Sequence, residues 1–195
     1  KRTKFYLAAE SEKWAEEFIA SHNLKGNTLI GIHPWGGGSW GKTASFKWWP
    51  REKFLSLARI LSEKYQAKII VFSEPQLEVP IKDGELNSES FVFPRELTLT
   101  QFAALIKKIH LLICNEGGPL QIAVAVGTPS VSIYGPVSEG VYGPYPAAKI
   151  HRIVSRGLSC QPCYRRFSFK PCRDQKCLAG LEVDKVLAEV EKALE

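Results

Sequence analysis

Two glycine-bearing stretches carry the residue types that can grip an anion. The first, Gly36-Gly37-Gly38-Ser39-Trp40-Gly41-Lys42-Thr43, runs on through Ser45 and Lys47 to Pro50. Glycine lets backbone N–H groups approach an oxyanion closely, the hydroxyls of Thr43 and Ser45 add donors, and Lys42 and Lys47 add charge. That composition suits a diphosphate. The second is Cys114-Asn115-Glu116-Gly117-Gly118-Pro119-Leu120-Gln121-Ile122-Ala123, which reads as a strand end, a two-glycine turn and a helix with proline near its first turn. Free N–H groups at such a helix start, with the positive end of its dipole, form a site for phosphate. The plainer alternatives are a surface loop whose glycines only make turns and a tight strand-to-helix connection. Four tryptophans, Trp35, Trp40, Trp48 and Trp49, weigh against the plain reading of the first stretch, because a cluster of that size is unfavourable on a surface with no partner.

Gly36 to Thr43 also fits the pattern Gly, four residues, Gly, Lys and Thr of a nucleotide-binding P-loop. That loop needs its helix to follow Lys42 and Thr43 directly and a strand-end aspartate to help hold magnesium. Here Pro50 marks the helix start and no apolar run ends in such an aspartate, so the context weakens the match.

Cys160, Cys163, Cys172 and Cys177 place four thiols in one short region, while Cys114 sits alone in a strand. Two close pairs can make a tetrahedral thiolate site for a structural zinc, although the second pair is spaced more widely than the usual knuckle. Reduced or disulfide-linked cysteines stapling an irregular loop compete with that reading, and disulfides are unusual in a cytosolic enzyme unless its source lives very hot. Arg165, Arg166 and Lys170 crowd the same loop and face an anionic acceptor, a membrane surface or simply solvent. His33 follows a strand and precedes Pro34; it is a base or phosphate donor on one reading and a structural histidine on the plainer one. His22, His110 and His151 fall at element ends with no carboxylate or Cys partner identifiable from sequence and carry no assigned chemistry.

The elements that must position these residues alternate between short β-branched runs and segments with apolar residues at helical spacing, the pattern of βα units building a parallel sheet. Glu10 to His22 reads as a helix with Trp14, Phe18 and Ile19 on one stripe, and Thr28 to His33 as a buried strand. Pro50 suits the first position of a helix, where its absent N–H does no harm, and Phe54, Leu57, Ala58 and Leu61 mark that helix's inner face up to about Tyr65. Further strands are expected at Lys68 to Phe72, Ser90 to Phe93, Leu111 to Cys114, Ser130 to Tyr134 and Ile150 to Val154. Thr98 caps a helix through Lys108, Pro119 to Val126 forms a small-residue helix, and Val183, Val186, Leu187, Val190 and Leu194 mark a last one. The fold class is therefore α/β, a Rossmann-like parallel sheet of about six strands with helices on both faces, whose ligand lies beyond the carboxyl ends of the strands.

A chain of 195 residues with 45% hydrophobic content buries one good core, so residues 1–195 are read as one domain that includes a cysteine-rich loop at 157–180. Its longest apolar runs, Ile69 to Phe72 and Leu111 to Cys114, fall far below the roughly 20 residues needed to span a bilayer. Lys1 to Glu10 lacks an apolar stretch long enough for a signal peptide. With no methionine anywhere, the sequence reads as a processed product or an excised piece. A net charge of +6 invites nucleic acid, but basic residues are spread along the chain among glutamates, and no zinc-finger, helix-turn-helix or RNA-recognition signature is present, so nucleic acid is not expected as a partner. A polyanionic small substrate or a nearby anionic surface accounts for the charge as well.

Taken together, the two loops resemble the signature of glycosyltransferase family 9, the heptosyltransferases. Members show glycine-rich sequence after the first strand of the second domain, then Lys-x-Trp-Pro, later Asp-Ser/Thr-Gly-Pro-x-His-x-Ala, and then Gly-x-Pro and Phe/Tyr-Gly-Pro. Here those positions read Lys47-Trp48-Trp49-Pro50, Glu116-Gly117-Gly118-Pro119-Leu120-Gln121-Ile122-Ala123, Gly127-Thr128-Pro129 and Tyr134-Gly135-Pro136. Cys160-Gln161-Pro162-Cys163 also looks like a cysteine-bearing segment that members carry.

The resemblance implies the C-terminal half of a two-domain GT-B glycosyltransferase, with the acceptor-binding N-terminal domain outside this chain. It implies an ADP-sugar donor, heptose-like, and inverting transfer to a lipopolysaccharide-core acceptor. Thr43, Ser45 and Lys47 would hold the diphosphate, with Lys47 stabilising the leaving group, while Gly117 and Gly118 offer backbone donors beside Glu116, Pro119 and Gln121. Leu97 would touch the nucleobase and Glu78 the ribose hydroxyls. No cofactor is implied for transfer, the general base belongs to the other domain, and the setting is cytoplasmic, at the inner face of the inner membrane. Three departures bear on the sugar end: Glu116 stands for Asp, Gly117 for Ser or Thr, and Gln121 for His. They leave two further readings open, a nucleotide or nucleotide-sugar binding module without turnover and a zinc-stabilised interaction domain.

Overall fold

A computed structural model of the chain describes residues 3–35, 38–73, 89–169 and 172–195. Six strands, β1 (Leu29–His33), β2 (Lys68–Val71), β3 (Phe91–Val92), β4 (Leu111–Asn115), β5 (Ser130–Ile133) and β6 (His151–Val154), form one sheet in the order β3-β2-β1-β4-β5-β6, every neighbouring pair parallel. The inner strands β1, β2 and β4 are nearly unbroken apolar runs because both faces of a parallel sheet are covered, whereas β5 alternates Ser130 and Ser132 with its apolar residues. All five residues of β1 and of β4 are buried.

Among the described residues seven α-helices clothe the sheet: α1 (Ala9–Ser21), α2 (Arg51–Tyr65), α3 (Leu99–Lys108), α4 (Gly118–Val126), α5 (Glu139–Tyr142), α6 (Lys176–Ala179) and α7 (Val183–Leu194). One core joins Phe54, Leu57 and Leu61 of α2 and Val186 and Val190 of α7 to Ile30, Ile32, Ile69, Ile113 and Val131 of the strands. The other joins Leu105 and Ile106 of α3 and Leu120, Ala123 and Val124 of α4 to Ile70, Leu112 and Cys114, with Trp14 and Phe18 of α1 packed against it. Each fully buried aliphatic side chain contributes about 1.5–3 kcal/mol relative to leaving it in water. Where α3 starts, Thr98 accepts from the Gln101 N–H while the Gln101 side chain accepts from the Thr98 N–H, a reciprocal cap that fixes the helix start. Inside β1, a Cβ at Gly31 would meet Ile109 Cδ1 at 2.5 Å and Phe72 Cε2 at 2.8 Å, so any larger residue there would push these core side chains aside.

The helices and strands expected from the sequence are all present, with ends moved by a residue or two. Pro50 is the cap before α2 rather than its first residue. The stretch after β1 is not plain loop: Gly38–Lys47 winds as a 3-10 segment broken at Gly41, where φ is 52°. α5 and α6, four residues each, have too little sequence for a period to show. Among the described residues no helix is long and apolar enough to cross a membrane.

The chain enters the sheet at β1, builds outward through β2 and β3, then returns past β1 to lay down β4, β5 and β6. The connections leaving β1 and β4 therefore diverge to opposite faces, and a crevice opens at the carboxyl ends of these two central strands. The segments that follow β1 and β4 start there.

Candidate functional site

Asn115, the last residue of β4, joins the two stretches. Its side chain is fully buried; Oδ1 accepts the Trp49 N–H at 2.9 Å and Nδ2 donates to the Pro34 carbonyl. A buried side-chain amide has to find both kinds of partner, and here it finds them at the two ends of the segment that follows β1. Trp49, 1% exposed, donates its indole N–H to the Leu181 carbonyl and stacks edge-on against Phe54. Asn115 had no assigned role in the sequence, and a polar residue ending an apolar strand was the signal for it.

Beside this clamp, Lys47 Nζ lies 3.0 Å from Glu116 Oε1, with the two side chains only 4% and 5% exposed. The pair is ionic by distance but lacks the alignment of a hydrogen bond. Lys47 Nζ also sits 5.1 Å from the centre of the Trp40 ring, over its face. The structure thus brings Lys47 of the first stretch against Glu116 of the second, next to Gly117 and Gly118, and in this state the lysine charge is offset by the neighbouring carboxylate.

Gly117 precedes α4 with φ at 141°. A residue with a side chain is strained in that conformation. Gly117, the N-cap residue of α4, has no side chain with which to cover the first amides of the helix. Pro119 is buried in the first turn. Gln121 points its Nε2 at the carbonyls of Tyr142 and Gly143, at 3.2 and 3.3 Å, tying α4 to the end of α5.

The remaining candidates are placed more loosely. The Thr43 hydroxyl donates back to the Trp40 carbonyl at 2.9 Å and holds the 3-10 segment, and Ser45 is exposed. Leu97 packs against the second core, just before the cap of α3. Glu78, Gly36, Gly37 and Lys170 lie outside the described residues.

The tryptophan cluster is not the exposed patch that its density suggested. Trp49 and Trp35 belong to the core, and Trp48 packs edge-on against Trp35 at 4.9 Å. Trp40 instead reaches the cysteine-rich segment, stacking against Tyr164 at 4.6 Å and Phe169 at 4.8 Å, while Phe46 meets Phe169 at 5.5 Å. All five cysteines carry free thiols, and among the described residues no group of three or more His, Cys, Asp or Glu side chains is gathered to hold a metal ion. Burial pushes the Cys163 and Cys177 thiols up, and neighbouring thiols add to it.

His33 ends β1 with its Nδ1 3.1 Å from the Trp35 carbonyl, so Nδ1 carries the proton, and burial pushes its pKa down to about 4 from 6.5. It is neutral in the fold and protonated in the unfolded chain below pH 6.5. Its contribution to stability is therefore complete above that pH and drains away as the pH falls towards about 4. Replacing His33→Gln is expected to flatten the pH dependence of the denaturation midpoint across that window; profiles of parallel shape would exclude the assignment.

A family model, Glycosyltransferase family 9 (heptosyltransferase), matches residues 7–173. Lipopolysaccharide heptosyltransferase 1 of Pseudomonas aeruginosa is 23% identical over 149 residues, which is 75% of this chain and 41% of that protein. Among solved structures, a glycosyl transferase family 9 protein from Veillonella parvula superposes with a TM-score of 0.75 at 24% identity, covering 98% of this chain and 53% of that one. ADP-heptose lipopolysaccharide heptosyltransferase II of Escherichia coli superposes with a TM-score of 0.70 at 19% identity, again covering 98% and 53%. The chain spans about half the length of these structures and less of the curated relative.

Proposed function

Since this chain belongs to glycosyltransferase family 9, the heptosyltransferases, we propose that residues 1–195 are the C-terminal, donor-binding domain of a two-domain GT-B enzyme. The donor is an ADP-sugar, heptose-like, and the acceptor is a lipopolysaccharide core presented by a separate domain at the inner face of the inner membrane. What supports the donor role most directly is the convergence of Lys47, Glu116 and the uncapped start of α4 at the β1/β4 crevice.

In that site an acceptor hydroxyl attacks the anomeric carbon from the face opposite the nucleotide. The new C–O bond forms as the bond to the diphosphate breaks, the configuration inverts, and ADP departs with the bonding electron pair. A general base on the acceptor domain takes the hydroxyl proton. The amides at Gly117 and Gly118 and the Lys47 ammonium, held in place by Glu116, stabilise the charge that gathers on the leaving diphosphate. Fixed dipoles and charges need no reorganisation at that moment, so no metal or other cofactor is required for transfer. Thr43 and Ser45 line the diphosphate side, Leu97 the nucleobase, and Glu78 the ribose.

Gln121 favours one other reading. Its amide cannot carry a proton and is engaged with backbone carbonyls, which suits a module that holds nucleotide-sugar without turning it over. Calorimetry of the chain with ADP, UDP and GDP should show ADP binding at least tenfold more tightly; equal or undetectable binding of all three would overturn the donor role. A transfer assay with ADP-heptose on the full-length protein then separates enzyme from binding module. A zinc-stabilised interaction domain built on Cys160, Cys163, Cys172 and Cys177 predicts stoichiometric zinc in elemental analysis of the same preparation.

A further inference from the structure

Two buried indole donors in the segment between β1 and α2 have no acceptor among the described residues. Trp35 is 6% exposed, and among the described residues neither its Nε1–H nor that of Trp48 meets an acceptor. A buried N–H left unmatched carries a desolvation penalty of about 1–3 kcal/mol. Trp49, in the same segment, shows the ordinary solution, with its indole N–H on the Leu181 carbonyl. The chain has five tryptophans, and of the orphaned pair one sits at each end of the glycine-rich stretch.

Their positions tie them to the site. Trp35 directly follows Pro34, whose carbonyl Asn115 holds; Trp48 lies between Lys47, paired with Glu116, and Trp49, whose N–H Asn115 also holds. The rings meet edge-on, centroids 4.9 Å apart at 78°, so each fixes the other's orientation. An indole N–H can only donate, so its partner must be an acceptor. The neighbouring α4 amides favour an anion, and Glu116 already offsets the Lys47 charge, so a diphosphate here depends on neutral donors as well.

We propose that the indole N–H groups of Trp35 and Trp48 donate hydrogen bonds to phosphate oxygens of the nucleotide donor, a role that rests on the donor-binding reading above. The two groups stand preorganised for a ligand at the expense of the unliganded fold. Trp35→Phe and Trp48→Phe keep a ring in place while removing the N–H. Each is expected to weaken ADP binding about tenfold while leaving the denaturation midpoint unchanged or raised; a purely structural tryptophan would lose stability instead.

The direct test follows the indole signals in a ¹H–¹⁵N spectrum of the chain, assigned with those two variants. Titration with ADP, and with inorganic pyrophosphate, should move the Trp35 and Trp48 signals, whereas adenosine should leave them in place. If calorimetry shows ADP bound and both signals stay fixed, the assignment is wrong while the donor role stands. Signals that move with adenosine but not with pyrophosphate overturn the phosphate contact, and absence of any ADP binding overturns both readings.

Discussion

Replacing Lys47→Met is expected to destabilise the fold by about 3–5 kcal/mol, because it leaves the Glu116 carboxylate buried without its counter-charge. The methionine fills a similar volume, so the loss reports the unpaired ion rather than a cavity. Adding Glu116→Gln to Lys47→Met removes the stranded charge and should restore most of the stability, since a buried pair replaced as a unit is often close to neutral. The four urea-denaturation curves of this cycle give the coupling between the two side chains. On the donor role proposed for Lys47, the double variant should fold well and still bind ADP poorly. A single Lys47→Met variant as stable as the parent would show that the pair is not buried as described.

Asn115→Ala should be nearly as damaging, by a different route. It strands the Trp49 N–H and the Pro34 carbonyl and opens a small cavity between them. Each stranded group costs about 1–3 kcal/mol, so a loss on the order of 3–5 kcal/mol is expected. Asn115→Asp keeps the acceptor for Trp49 but cannot donate to Pro34 and adds a buried charge, so it should rescue little. Hydrogen exchange at the Trp49 amide gives the local readout: strong protection in the parent, lost in both variants. If that amide stays protected in Asn115→Ala, the clamp is held by something else.

The sheet was legible because parallel strands are buried on both faces and leave continuous apolar runs such as Leu111 to Cys114. Helix α7 was legible to its exact ends because Val183, Val186, Val190 and Leu194 keep an unbroken period. The 3-10 segment was not, since Gly, Ser and Trp in that mixture have no period, and the kink at Gly41 is a conformational choice rather than a composition. At the site, Lys47 and Glu116 were named separately, each for its own chemistry. That they face one another is decided by the placing of β1 beside β4, which no local pattern encodes. The tryptophans misled for the same reason: density along the chain said nothing of the faces to which Trp35 and Trp49 turn, and both turn inward.

The stack of Trp40 on Tyr164 and Phe169 joins segments remote in sequence by a kind of force unlike the one that binds the base of the crevice. Hydrogen bonds such as those of Asn115 are directional and fail when their geometry shifts by an ångström or so. Ring contacts are nearly indifferent to small sliding, because dispersion is spread over many atom pairs. The two joins therefore differ in tolerance: the one at Asn115 is fixed by direction, while the one at Trp40 can slide without losing its contact.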